Sequence, residues 1–311
     1  MQRPGIVLLN DLLLLLTAVI WGVAFVAQRA GMEHVGPFTY NAVRFALGSV
    51  ALLPLIAVRR GTASRRRTLA SGTAARPIGA LAAGLIAGAV LVFGASLQQV
   101  GLVYTTAGKA GFVTGLYVVL VPLSGLLWRQ KAGWSSWTGA LLCVVGLFLL
   151  SVTSAFTVER GDLIVLAGSF FWAAHVQVVG WLSPRTDPVK LACVQFAVCS
   201  LASAAAALAL EHPRLPSILD AAVPILYGGI LSVGVAYTLQ VVAQQHAPPS
   251  HAAILLSLES VFAALGGAVI LGERLGTRET VGCALMFAGM IVSQLPALAA
   301  RSMGAREAGS G

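Results

Sequence analysis

The chain has 311 residues, of which 58% are hydrophobic and 10% charged, with a mean hydropathy of +0.87 and a net charge of +9. Soluble domains carry about 25% charged residues, so a water-soluble fold is excluded, and the hydrophobicity excludes intrinsic disorder. Only four cysteines are present (Cys143, Cys193, Cys199, Cys283), scattered in apolar runs without metal-ligand spacing, which excludes a disulfide scaffold and leaves them as small core residues.

Ten apolar stretches follow one another, at 9–30, 38–58, 78–99, 107–128, 134–153, 162–182, 189–210, 221–244, 250–271 and 278–297. At about 20 residues per crossing, the chain has room for roughly ten spans. Hydrocarbon requires every backbone group to be satisfied internally, and period-2 alternation is absent, so the spans are predicted as helices and not barrel strands. Breaks coincide with Gly36–Pro37, Ser183–Pro184, Asp187–Pro188 and Pro248–Pro249. The first stretch, with Leu12 to Leu16 behind a short basic start, lacks a small-residue cleavage site and reads as a retained helix and not a signal peptide.

The first stretch carries Trp21 midway along, with Thr17 and Gln28 on its face. Arg44 stands six residues into the second, beside Tyr40, Asn41 and Gly48; it is a candidate to clamp a carboxylate, to pair with Glu259 or to snorkel to the interface. Gln98 ends the third. The fourth starts near Lys109, passes a small-xxx-small step at Gly111 and Gly115, reaches Tyr117 and is predicted to kink at Pro122. In the sixth, His175 follows Trp172 by one turn, either as a satisfied core histidine or as a proton relay. Gln240 sits late in the eighth, where it either ties helices together or orients a polar ligand. The ninth starts near His251 and holds Glu259 as its tenth residue, among apolar Leu255, Leu256, Phe262 and Ala263. A charge at the bilayer centre costs about 2.5–3.5 kcal/mol, so Arg44 and Glu259 need partners or a role. Glu259 is the strongest candidate to carry a proton or to meet a cationic substrate group.

Basic residues are unevenly shared between the two sides. Arg3, Arg59, Arg60, Arg65, Arg66, Arg67, Arg76, Arg129, Lys131, Arg185, Lys190, Arg301 and Arg306 fall on one; Arg29, Lys109, Arg160, Arg214, Arg274 and Arg278 fall on the other. The richer side is predicted to be cytoplasmic and holds both termini. The Arg59–Arg76 loop reads as a topology anchor near anionic lipid, with no nucleic-acid role.

The sequence also resembles itself. At an offset of 151, Asp11, Trp21, Pro37, Val43, Phe45, Ala46 and Ser49 meet Asp162, Trp172, Pro188, Val194, Phe196, Ala197 and Ser200. Further on the offset falls to 142, where Leu97–Gln98 meets Leu239–Gln240, Lys109 meets His251 and Tyr117 meets Glu259. One residue later, Gly139 and Gly146 meet Gly282 and Gly289. Arg44, by contrast, meets Gln195. Two five-helix copies are predicted, at 1–156 and 157–311. Five is odd, so the second copy enters the membrane upside down. Inverted repeats imply a pseudo-two-fold axis in the membrane plane and a midplane site opened alternately to each side, which points to secondary transport.

Trp21-Gly22 with Phe25, Gly36-Pro37 followed by Arg44-Phe45, the run from Thr105 to Pro122, and Ser257-Leu258-Glu259-Ser260-Val261-Phe262-Ala263-Ala264 with Leu271-Gly272-Glu273 together resemble the EamA family of the drug/metabolite transporter superfamily. The resemblance covers about residues 9 to 297. It implies an all-α integral membrane protein of ten helices with cytoplasmic termini, and export or exchange of small metabolites, often amino acids or related compounds.

No phosphate loop, HExxH, GxSxG or Cys–His cluster occurs, so ATP hydrolysis, hydrolase and metal chemistry are not expected, and no cofactor or enzyme activity is. The expected protein is a secondary transporter of a small polar or amphipathic metabolite in a bacterial inner membrane. Protons are candidate coupling partners, the lipid bilayer surrounds it, nucleic acid is no partner, and a homodimer is left open. The binding candidates are Glu259, Arg44, Trp21, Trp172, His175, Gln98, Gln240 and Tyr117. A channel is the alternative.

Overall fold

A computed structural model describes residues 4–66, 77–127, 129–130, 133–151, 159–270 and 276–308. Arg3, Arg67, Arg76, Lys131, Arg274 and the Leu271-Gly272-Glu273 motif lie outside these residues. Regular structure among the described residues is helical throughout. Among the described residues, seven helical segments are long and apolar enough to cross a membrane: Gly5–Gly31, Pro37–Arg59, Ala80–Gly101, Ala107–Leu127, Arg160–Arg185, Pro188–Leu210 and Ala222–Ala243. Trp134–Leu149 and Pro249–Leu265 are shorter apolar helices. The chain turns its polarity inward: Leu8, Leu9, Leu12 and Leu16 are exposed, whereas Asn10, Asp11, Thr17 and Gln28 of the same helix are buried. That is the arrangement a hydrocarbon surround favours.

In chain order the helices are α1 (Pro4–Gly31), α2 (Pro37–Arg66), α3 (Ala80–Gly101), α4 (Ala107–Gly115), α5 (Tyr117–Leu127), α6 (Trp134–Ser151), α7 (Arg160–Leu182) and α8 (Pro188–Leu210). After these come α9 (Leu215–Asp220), α10 (Ala222–Leu226), a π-helical segment (Tyr227–Tyr237), α11 (Thr238–Ala243), α12 (Pro249–Leu256), α13 (Glu259–Ile270) and α14 (Thr277–Ala308). Compared with the sequence reading, α2 and α14 run past residues 58 and 297. Three apolar stretches, 107–128, 221–244 and 250–271, are not uninterrupted α-helices.

Proline and caps set the helix starts. Pro188 opens α8, where the Asp187 carboxylate accepts from the Val189 and Lys190 amides at 3.0 Å each. The repeat-related start at Pro37 has Gly36 in place of Asp187. Its cap comes from Glu211, beyond α8, whose carboxylate accepts from the Phe38 and Thr39 amides at 2.8 Å and from the Thr39 hydroxyl at 2.6 Å.

α2 packs against α8, and α6 against α14, in antiparallel fashion. Between α2 and α8, Ser49 Oγ donates to the Cys193 carbonyl at 3.0 Å and Ser200 Oγ donates to the Ala42 carbonyl at 2.9 Å. Between α6 and α14, a methyl added at Gly139 would stand 2.7 Å from the Gly289 carbonyl, and one at Gly146 would stand 2.6 Å from that of Gly282. Only glycine allows this approach. As Gly139 and Gly146 advance along α6, their partners recede along α14.

The interruptions fall at corresponding places. α4 ends at Gly115 and α5 begins at Tyr117; α12 ends at Leu256 and α13 begins at Glu259. At the first break the Leu116 amide bonds Val113, and at the second the Leu258 amide bonds Leu255, both tightened three-residue turns at 3.3 Å. Leu116 and Leu258 stand 142 residues apart, the offset that relates Tyr117 to Glu259.

Candidate functional site

A narrow cavity lies among α1, α2, α3, α7, the π-helical segment, α11 and the two broken helices, within about 480 Å³ of non-atom space that includes some solvent. All eight residues singled out from the sequence line it: Trp21 from α1, Arg44 from α2, Gln98 from α3, Tyr117 from α5, Trp172 and His175 from α7, Gln240 from α11 and Glu259 from α13. Ala24, Phe25, Gln28, Thr114, Val176, Ser232, Tyr237 and Leu256 complete the wall.

The helix breaks deliver the acid. Glu259 is the first residue of α13 and is 3% exposed, and Tyr117, the first residue of α5, donates its hydroxyl to Glu259 Oε1 at 3.3 Å. Gly22 of α1 lies against this corner, since a methyl there would meet the Glu259 carbonyl and the Ala263 amide nitrogen at 2.7 Å. Glycine therefore lets α1 close against the acid-bearing helix.

Arg44 is 2% exposed and belongs to the opposite charge class. Its Nε donates to Asn41 Oδ1 at 3.0 Å, and Asn41 Nδ2 donates in turn to the Ala95 carbonyl at 3.1 Å. The guanidinium carbon sits 4.8 Å from the centre of the Phe45 ring and 5.4 Å from that of Tyr40. Such ring contacts favour a buried guanidinium. No described carboxylate forms an ion pair with it, so of the sequence-level options pairing with Glu259 is not what the structure adopts. With 2% exposure, snorkelling to the interface is not adopted either.

Tyr237, at the end of the π-helical segment, occupies the middle of the aromatic wall. Its ring centre is 4.5 Å from Trp21, 6.1 Å from Trp172 and Phe45, 6.0 Å from Phe196 and 6.2 Å from His175. The widened backbone of that segment accepts two bonds from α1, Trp21 Nε1 to the Ser232 carbonyl at 3.2 Å and Thr17 Oγ1 to the Ala236 carbonyl at 3.1 Å. Sequence reasoning missed Tyr237. It stands one turn before Gln240, a spacing that puts both on one helix face, and that spacing was the available signal.

The remaining polar groups divide into held and unheld. Gln98 Nε2 donates to Gln28 Oε1 at 3.1 Å, and His175 Nε2 meets Gln195 Oε1 at 3.0 Å. Gln195 stands 151 residues after Arg44 and holds the histidine. Trp172 Nε1, His175 Nδ1, Gln240 Oε1 and Thr114 Oγ1 are buried without a protein hydrogen-bond partner among the described residues. The cavity therefore presents a cation, an acid, an aromatic wall and several unengaged donors and acceptors. That set can surround a small molecule combining polar and apolar parts. No group of His, Cys, Asp and Glu among the described residues has the arrangement of a metal site.

Lys109 and His251, read as interfacial groups, lie at opposite ends of the protein. Lys109 meets Glu159 at 2.8 Å and Asp162 at 4.0 Å, while His251 Nε2 meets Asp11 Oδ1 at 2.8 Å.

The profile of the EamA-like transporter family matches residues 8–152 and again residues 159–294. An uncharacterized transporter of Archaeoglobus fulgidus is 30% identical over 287 residues, which cover 92% of this chain and 85% of that relative. The uncharacterized transporter YwfM of Bacillus subtilis is 25% identical, with 91% of this chain and 92% of the relative covered. One solved crystal structure superposes with a TM-score of 0.75 over 94% of this chain and 98% of its own, at 17% identity, a likeness of fold.

Proposed function

Since the chain belongs to the EamA-like transporter family, we propose that this multi-pass membrane transporter works by alternating access between two inverted five-helix repeats, 1–156 and 157–311, with ten transmembrane helices in all. Support comes from the two consecutive family matches, from the antiparallel contacts of α2 with α8 and of α6 with α14, and from the corresponding breaks at Leu116 and Leu258. The cargo is a small polar or amphipathic metabolite, amino-acid-like compounds foremost, which the protein exports by proton coupling or by exchange. It resides in a bacterial inner membrane with both termini cytoplasmic, the orientation favoured by the Lys and Arg asymmetry.

One observation carries the reading. Glu259, next to a helix interruption in the second half, shares a cavity with Arg44 of the first half, and the two charges are not paired with each other. Interrupted helices at a shared cavity are how transporters present backbone and charge to a solute. Glu259 is the group that takes up and releases the proton.

The test uses purified protein in proteoliposomes, after a thermal-shift screen of amino acids, polyamines, nucleosides and sugars has supplied a ligand. Saturable uptake stimulated by the same ligand on the opposite side identifies exchange through an alternating site. Non-saturable flux without such stimulation identifies a channel and overturns the proposal. Glu259→Gln is expected to remove the pH dependence of uptake; unchanged pH dependence at wild-type expression removes Glu259 from the coupling role.

A further inference from the structure

The two pairs formed by Lys109 and His251 occupy opposite ends of α1. Asp11, near the start of α1, bonds His251 at the start of α12. Arg29, near the end of α1, donates to the Leu102 carbonyl at 2.8 Å just past α3. Asp11 and Arg29 are separated by about 27 Å of helix, nearly a membrane's hydrocarbon thickness. Lys109 and Asp162 belong to the Arg29 end: a methyl added at Gly161 would meet the Tyr104 and Gly101 carbonyl groups, which follow directly from α3. The Asp11 end gathers the far end of α7 instead, where Gln244 Nε2 donates to Val176 and Gln245 Nε2 to Ser183.

Both pairs cross between the halves of the chain, and the repeat relates them residue by residue. Asp11 corresponds to Asp162 and Lys109 to His251. Each pair thus joins an acid near the start of one half's first helix to a basic residue at the start of the other half's fourth apolar stretch. At the other end Lys109 bonds Glu159 at 2.8 Å and stands 4.0 Å from Asp162, whose Oδ1 accepts from the Thr105 hydroxyl at 2.5 Å. Both pairs are closed, one at each end of the cavity-bearing core.

We infer that Asp11–His251 and the cluster of Lys109 with Glu159 and Asp162 are two repeat-related latches, each of which must part for the cavity to open to its own side of the membrane. The inference rests on the alternating-access reading for its purpose but is measured without any substrate. None of these residues lines the cavity; they are positioning residues that set which side is open. A helix pair held by side-chain bonds between an acid and a basic residue resists separation, so removing one partner shifts the balance of states toward opening at that end.

The experiment places a reporter thiol in the cavity with Ala24→Cys, which lines it, and measures labelling by a membrane-impermeant maleimide in sealed vesicles of each orientation. Labelling of the same chain without the reporter, which holds four native cysteines that are buried, is subtracted. Asp11→Asn is expected to raise labelling at least threefold from the membrane face at the start of α1 and to leave the other face near its initial value. Lys109→Met, which removes the amine facing both Glu159 and Asp162 and leaves both carboxylates of the α7 capping box in place, is expected to do the reverse. His251→Lys, which installs at one end the cation used at the other, is expected to keep labelling low.

Equal increases from both faces, increases at the face opposite to the broken latch, or unchanged labelling in well-folded variants each overturn the latches. Sided labelling without exchange in the counterflow assay removes the transport reading and leaves the latches. Counterflow with symmetric labelling does the opposite.

Discussion

Tyr117 and Glu259 are the first residues after the two helix interruptions, stand 142 positions apart and touch each other through the 3.3 Å hydrogen bond from the Tyr117 hydroxyl to Glu259 Oε1. The same turn geometry thus yields a donor in one half and an acid in the other. A pair of identical residues would have given two acids or two phenols face to face. The difference between these two positions gives the cavity one acid and one phenol.

If that bond shapes how Glu259 handles a proton, Tyr117→Phe displaces the pH midpoint of transport while Glu259→Gln flattens the profile. The double variant is expected to match Glu259→Gln alone, because the tyrosine then has no carboxylate to act upon. Uptake rates across a pH series for the four proteins check this. A double variant that loses a further factor of ten beyond Glu259→Gln would assign Tyr117 a separate role.

Arg44 is fixed by Asn41 and two aromatic rings, which leave its remaining guanidinium nitrogens available to the cavity. Lysine cannot reproduce a planar fork stacked on rings. Arg44→Lys is expected to weaken a carboxylate-bearing ligand about tenfold, equivalent to about 1.4 kcal/mol, and to leave an uncharged ligand unaffected. Isothermal titration with a matched acid and amide separates the two. Equal weakening of both would make Arg44 a packing residue.

At Gly22 the constraint is steric. A side chain there must displace the Glu259 carbonyl or the Ala263 amide, both 2.7 Å from the added carbon. Overpacking of this kind costs about 1–3 kcal/mol. Gly22→Val is therefore expected to lower the unfolding midpoint in detergent and to reduce transport, because it pushes α1 from the helix that carries the acid. A variant of wild-type stability would show that α13 yields without strain.

How much of this was legible in the sequence depends on the kind of signal. Arg44 and Glu259 stood out because a charge in an apolar run is expensive, and Trp21 with Trp172 and Gln98 with Gln240 because the repeat paired them. Those signals survive without any structure. The helix interruption at Leu116 was not legible, since Gly115 reads as a packing residue and Pro122, the expected kink, lies inside the intact α5. The π-helical stretch was hidden for a similar reason: Gly228, Gly229 and Gly234 allow it, yet its width is set by contacts with α1 and α2 that are remote in sequence. Tyr237 owes its central position to that stretch, and its repeat counterpart is Ala95, so pairing gave no warning. Glu211 as the cap of α2 was equally out of reach, a partner more than 170 residues away replacing the missing local one.

The reciprocal serines offer a test of the two-fold relationship that does not depend on transport. Ser49 bonds the Cys193 carbonyl and Ser200 bonds the Ala42 carbonyl, and both the donors and the acceptors stand 151 residues apart. Hydrogen bonds between membrane helices contribute about 0.6 kcal/mol on average. If the α2–α8 interface is symmetric in energy as it is in geometry, Ser49→Ala and Ser200→Ala each cost about that much. Seven residues separate the two bonds along each helix, about 10 Å, so their effects are expected to add in the double variant. Reversible unfolding in mixed micelles measures all three. Costs that differ by more than about 1 kcal/mol would mean that one half carries the interface, and a non-additive double variant would mean that the two bonds are coupled through a shift of the whole helix pair.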